Sequence, residues 1–133
     1  MGNSITKDLY YTNDHEWIDF QGSVAYIGVC GFKLSGFKEI HQVNFNEASG
    51  FKKKGDIIAT VIYSDYQIDA HMPVDGKIVE VNEALLSGNQ NILLQHPEKS
   101  GWIALIVPTQ PYERQDLLLP KQYQMNGQSK NAK

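Results

Sequence analysis

A chain of 133 residues, 41% apolar and 20% charged, with a formal net charge of −3, has the composition of one ordinary globular domain and is neither disordered nor fibrous. Folding at this length buries about two-thirds of the unfolded surface, so a core forms without staples. The single cysteine, Cys30, excludes an internal disulfide framework and any multi-cysteine metal site.

Basic residues are scattered except for Lys52, Lys53 and Lys54. Three lysines entering a strand suit a solvated turn that resists aggregation rather than a phosphate-binding patch, so no nucleic-acid partner is expected. No apolar run approaches the length of a membrane span. Nothing at the N-terminus reads as an export signal, which makes a cytoplasmic location the expectation. Met1 to Thr6 fits the loose N-myristoylation pattern, but so short a pattern arises easily by chance and one acyl chain anchors weakly, so no membrane partner is expected.

In chain order, residues 15–20 (HEWIDF) and 23–29 (SVAYIGV) are β-rich runs joined at Gln21-Gly22, the spacing of a tight hairpin. Cys30 follows where the strand runs out, and its plain reading is a half-buried small hydrophobe. Phe32, Leu34 and Phe37 suit a short helix interrupted by glycine, and Ile40, Val43 and Phe45 continue as a strand. Asn46 to Gly50 is turn-rich. After Phe51, the lysines and a Gly55-Asp56 turn comes the β-branched run Ile57 to Ile62, which reads as buried on both faces. Pro73 to Gly76 makes another turn, and Lys77 to Asn82 alternates apolar with polar residues. Asn82 is placed to cap a helical turn over Glu83 to Leu86. Trp102 to Val107 reads as a last strand and Tyr112 to Leu119 as a C-terminal helix ended by Pro120. Beyond Gln122 the composition suggests disorder. The domain is expected over residues 8–121, with flexible tails at 1–7 and 122–133.

The stretches Phe51 to Ile58 and Val74 to Val81 each read as a glycine-centred turn leading into an apolar strand, mirrored about residues 64–66. That symmetry suits a flattened barrel of two small sheets, from which the hairpin tip is pushed out and rigidly presented. Tyr63 and Tyr66 flank Asp65 there, a combination that suits a protein contact, although cross-strand packing explains the tyrosines equally well. Asp14-His15-Glu16 offers metal-ligand residue types. Neighbours in a strand point to opposite faces, however, so at most Asp14 and Glu16 share a side, and no metal is expected. His41, His71 and His96 stand alone in the sequence and read as surface or edge residues. No base, nucleophile and orienting group fall into an identifiable relation, so no catalytic residue is assigned and the chain is not expected to be an enzyme; catalytic use of Asp65 or Cys30 is the weakest reading.

Several motifs stand together in register: Tyr11-Thr12-Asn13-Asp14-His15-Glu16-Trp17, Val24 to Val29, Phe51-Lys52-Lys53-Lys54-Gly55-Asp56, Pro73 to Leu85, and Gly101-Trp102-Ile103. In that order they resemble the H protein of the glycine cleavage system over residues 10–120, with about one extra residue near Ser87 to Gln95. The resemblance implies a mainly β barrel-sandwich hybrid of the lipoyl or biotinyl type, with short peripheral helices and a C-terminal helix. It implies a carrier: lipoate, amide-linked to one lysine at the hairpin tip, takes an aminomethyl group from glycine decarboxylase to aminomethyltransferase, and dihydrolipoyl dehydrogenase reoxidises the dithiol.

That lysine belongs to a family stretch like Glu-Ser-x-Lys-Ala, four residues before an aspartate that matches Asp69. Counting back places Asp65 at the lipoyl-lysine position, with Ile62 and Tyr63 in place of the family's Glu and Ser. An amide to the lipoyl carboxyl needs an amine nucleophile, which a carboxylate is not. Lys54 and Lys77, the nearest lysines in sequence, fall tens of ångströms away at about 3.3 Å per strand residue. The expectation is therefore an H-like binding or regulatory module without lipoate, contacting glycine decarboxylase, another of the family's enzymes or a lipoate-handling enzyme through Tyr63, Asp65 and Tyr66. The alternative is a working glycine-cleavage carrier that is unmodified or modified elsewhere. A plain account of Asp65 as a turn former, tolerant of left-handed backbone and bonded to local amides, stands beside any functional one.

Overall fold

The computed structural model describes residues 9–46, 49–109, 117–119 and 122. Nine antiparallel strands build two sheets. β1 (Leu9–Tyr11), β2 (Glu16–Gln21), β3 (Val24–Val29), β5 (Gly50–Lys52), β8 (Gly76–Val81) and β9 (Ala104–Pro108) form one sheet in the order β1-β2-β3-β9-β8-β5. The second is β4 (Gln42–Phe45), β6 (Ile57–Tyr63) and β7 (Tyr66–His71) in the order β4-β6-β7. This is the expected mainly β sandwich. Short helical pieces sit at its edges, among them 3-10 turns at Gly31–Leu34 and Glu83–Leu85 and the α-helical turn α1 (Ile92–Gln95).

The core lies between the sheets. Ile18, Ile27, Ile78 and Ile106 from the larger sheet meet Val43, Ile58 and Val61 from the smaller and Met72 just beyond β7, all essentially buried. At about 25 cal/mol per Å² of apolar surface, side chains of this size stabilise by roughly 1.5–3 kcal/mol each. β2 is buried along nearly its whole length because a second cluster covers its outer face, where Trp17 packs with Tyr11 and Cys30. The Trp17 indole N–H donates to the carbonyls of Val29 at 3.1 Å and Pro97 at 2.9 Å. Gly28 faces Trp17 across the ladder, and a Cβ there would lie 2.7 Å from the indole ring.

Several expectations shift. The first hairpin turns at Gly22-Ser23, one residue later than expected, and an additional strand, β1, pairs with β2 before it. The run Ile57 to Ile62 is not buried on both faces: Ile57 is exposed and Thr60 and Ile62 are half-buried. A register irregularity between Ile57 and Ala59 puts Ile58 and Ala59 both inward, and the outer face of the three-stranded sheet carries no second layer among the described residues. Asn82 does cap its turn, accepting from the Ala84 amide at 3.1 Å while its amide group donates to the Ser100 and Trp102 carbonyls. The described end of the expected C-terminal helix is not helical. Leu118 bridges Tyr11 through two short backbone hydrogen bonds of 2.7 and 2.6 Å, so backbone pairing with the exposed side of β1 wins there over the helical pattern. Residues 112–116 and 120 of that expectation, and both proposed tails except Gln122, lie outside the described residues.

Gly28→Ala is expected to cost about 1–3 kcal/mol by overpacking against the indole, whereas Gly31→Ala, whose Cβ would meet only Pro97 at 3.8 Å, should stay within about 0.5 kcal/mol of wild type. Chemical denaturation of the two variants checks the pair; equal losses would contradict the packing account.

Candidate functional site at the hairpin apex and the neighbouring cleft

β6 and β7 pair from Ile57↔His71 to Tyr63↔Tyr66, leaving Ser64 and Asp65 as a two-residue turn. A two-residue hairpin loop that follows the twist of its strands needs positive φ, and here Ser64, at φ 54°, supplies it. Asp65 is not the left-handed residue. Its carboxylate is exposed and, among the described residues, takes no hydrogen bond or ion pair. The turn-former account of Asp65 therefore loses its local-bond component.

The apex is buttressed. Tyr63 and Tyr66 stack with centroids 6.2 Å apart and planes 15° from parallel, and Phe37 lies 6.0 Å from the first and 6.2 Å from the second. The ring of His41 stands 4.9 Å from Tyr63. Its Nδ1 accepts the Ser64 amide at 3.1 Å, and its Nε2 is 2.9 Å from a Glu39 carboxylate oxygen. These two bonds define a tautomer in which Nε2 carries the proton. The sequence reading left His41 as an edge residue; its role arises because the His41 amide bonds the Ile62 carbonyl, a pairing with no signature of its own. Tyr66 remains 59% exposed, an aromatic surface beside an unpaired carboxylate.

No amine stands on the turn, and the lysines flanking the hairpin lie beyond its base, where Ile57 meets His71 six rungs from the tip, roughly 20 Å at 3.3 Å per residue. The loop before β4 brings exposed Lys38 to this end of the molecule behind Phe37, but on a different segment from the hairpin turn.

The other notable cluster gathers near the hairpin's base. The Thr12 hydroxyl accepts both the Asp14 and Glu16 amides at 3.2 Å, and His15 between them adopts φ 62°. His71 Nδ1 lies 2.9 Å from Glu16 Oε2 and 3.0 Å from Asp14 Oδ2, and its backbone amide donates to Glu16 as well. Lys33, on the Gly31–Leu34 turn, donates to Asp14 at 2.7 Å and Glu16 at 2.8 Å. Asp14 and Glu16 do converge, but through the turn before β2 rather than by strand alternation, since β2 begins only at Glu16 and His15 is left-handed; His71 joins them from β7, a long-range pairing that the sequence does not mark. A cleft of about 380 Å³ opens beside this group, lined among others by Thr12, Asn13, Lys54, Met72 and Leu117. Burial opposes ionisation of Asp14, yet the hydrogen bond and charge of Lys33, with His71 and His15 behind, outweigh it and hold the carboxyl below the usual carboxylate range. Burial also pushes the Tyr11 phenol well above its ordinary value, helped by the hydrogen-bonded Glu98 carboxylate.

A two-sheet sandwich that projects one stiff β-hairpin is the architecture of a carrier-type domain of the lipoyl fold; among the described residues no helix is long and apolar enough to cross a membrane. The sequence pattern of the glycine cleavage H-protein family matches residues 9–130, and the chain belongs to that family. A probable glycine cleavage system H protein of Aeropyrum pernix is 36% identical over 119 residues, covering 90% of this chain and 82% of that one. The glycine cleavage system H protein of Alkaliphilus oremlandii is 36% identical over 115 residues, 86% of this chain and 89% of its own. The crystal structure of the Mycobacterium marinum H protein superposes with a TM-score of 0.74 at 27% identity, covering 92% of this chain and 99% of that one.

Because the folded Asp14 carboxyl titrates below its unfolded value, its contribution is present above the unfolded pKa and is lost as pH falls through the lower folded one. Asp14→Asn is expected to flatten the acid limb of the stability profile by under about 1 kcal/mol, small because the side chain is 59% exposed. Thermal midpoints between pH 7 and pH 3 check this, and an unchanged acid limb would contradict it.

Proposed function

We propose that this member of the H-protein family carries no lipoyl arm and acts as a binding or regulatory module, docking through Tyr63, Asp65 and Tyr66. The family normally carries lipoate and works with glycine decarboxylase, aminomethyltransferase and dihydrolipoyl dehydrogenase; these enzymes, or one that handles lipoate, are the proposed partners, in the cytoplasm. The observation that carries the reading is an apex that keeps the projecting hairpin and reinforces it with Phe37 and His41 while replacing the amine by an exposed carboxylate without a partner among the described residues.

Chemistry limits what the apex can do. A carboxylate cannot tether a group through an amide, but a charge fixed between aromatic rings is a recognition element, since tyrosine supplies rigid, half-apolar contact area at little entropic cost. The stacked pair and the Ser64–His41 bond fix the turn before any partner arrives, so little ordering entropy remains to oppose binding.

The test is binding of the unmodified chain to glycine decarboxylase, aminomethyltransferase, dihydrolipoyl dehydrogenase and lipoate ligase, each immobilised separately. Saturable binding to one of them is expected, weakened about tenfold or more, roughly 1.4 kcal/mol, by Tyr66→Ala. Failure to bind all four, or binding indifferent to Tyr66→Ala, would count against the proposal.

A further inference from the structure

Away from the apex, Asp14, Glu16 and His71 bring three ligand atoms within 4.8 Å of one another. Two contacts are tighter than that bound: His71 Nδ1 stands 2.9 Å from Glu16 Oε2 and 3.0 Å from Asp14 Oδ2. With metal–ligand bonds of about 2.1 Å, neighbouring ligand atoms lie roughly 3 Å apart around an octahedral ion and roughly 3.4 Å apart around a tetrahedral one. The imidazole nitrogen thus stands at a coordination-shell spacing from each of the two oxygens, which themselves lie within 4.8 Å of one another.

A cation occupies those oxygens in the structure, and it is the chain's own. The Lys33 ammonium sits 2.7 Å from Asp14 Oδ2 and 2.8 Å from Glu16 Oε2, the same two atoms that face His71. Glu16 makes a positive charge necessary, because its side chain is only 4% exposed and an uncompensated buried carboxylate is strongly destabilising. Its Oε2 takes every recorded bond from Lys33 and His71, while no group among the described residues donates to Oε1. A second acceptor on a buried carboxylate is therefore left without a donor among the described residues. Lys33 satisfies the charge but not the full coordinating capacity, since its ammonium bonds Asp14 Oδ2 and Glu16 Oε2 and makes no bond to His71.

We propose that Asp14, Glu16 and His71 form a divalent metal site of the zinc, cobalt or nickel class, for which Lys33 competes as an internal plug. One imidazole and two carboxylates are the donors such ions take. The ion binds His71 through neutral Nδ1, displaces the Lys33 ammonium into solvent, and completes its shell with water from the adjoining cleft beside Thr12 and Asn13. Charge balances: a dication meets two carboxylates, and Lys33 leaves as a solvated cation. The 3-10 turn Gly31–Leu34 that carries Lys33 sets the competition, because it presents the ammonium from a separate segment whose release leaves β2 and β7 in place.

The experiment is a cobalt titration of the untagged full chain, read by visible absorption, for wild type, Lys33→Met and Lys33→Met combined with His71→Ala. Methionine keeps the apolar stem and removes the competing charge. Lys33→Met is expected to bind one cobalt ion at least tenfold more tightly than wild type, and the added His71→Ala to lose at least that gain; zinc should displace the cobalt. Binding by Lys33→Met no tighter than wild type, or unaffected by His71→Ala, overturns the proposal. Should Lys33→Met fail to fold by circular dichroism, wild type decides the matter through ligand linkage: a rise in Tm with zinc, absent with magnesium and lost in His71→Ala, supports the site, and no rise, or one that survives His71→Ala, overturns it.

Discussion

The register of the β6–β7 ladder governs everything at the apex. Ala59, Val61 and Tyr63 share one side of β6, and the first two are buried in the core; a slip of one residue would turn them outward and lose several kcal/mol of burial. That constraint fixes Tyr63 opposite Tyr66 and leaves Ser64-Asp65 as the whole turn. The identity of one solvent-facing side chain is therefore set by packing some 15 Å away along the strand, at about 3.3 Å per residue. Nothing local compels that side chain to be an aspartate.

Two carboxylate environments divide the molecule. At the apex a carboxylate stands in water with no partner among the described residues and is available to whatever approaches. Near the base Glu16 is enclosed and tied to Lys33 and His71, an arrangement in which the attraction must offset a desolvation penalty of several kcal/mol. The two have opposite consequences. The enclosed group locks β2, β7 and the Gly31–Leu34 turn together, while the free one leaves the fold indifferent to its replacement. An exposed position that stability does not constrain is where a domain can exchange one function for another without losing its architecture.

Much of this was legible in the sequence because the informative signals are local. β-rich runs marked β2 and β3, alternation marked β8, Asn82 announced its cap, and the ordered motifs from Tyr11 to Ile103 identified the family. What escaped was long-range. His71 reaches Glu16 across 55 residues and His41 reaches Ser64 across 23, and isolated histidines carry no mark of such pairings. The helical reading of Leu117 to Leu119 failed for the same reason: a free strand edge at Tyr11 competes for those backbone groups, and propensity alone cannot foresee that competitor. The assignment of left-handed backbone to Asp65 rather than Ser64 missed because both residue types occur in such turns, and the register fixes only which two residues form the turn, not which of them takes positive φ.

The central claim is that the chain offers no nitrogen where a swinging arm must be attached. Intact mass after incubation with lipoate ligase, ATP and lipoic acid, beside a lysine-bearing H protein as a positive control, tests it most directly. The account predicts the control shifted by one lipoyl group and this chain at its unmodified mass. A lipoyl adduct on this chain at any residue, Lys38 included, would contradict it.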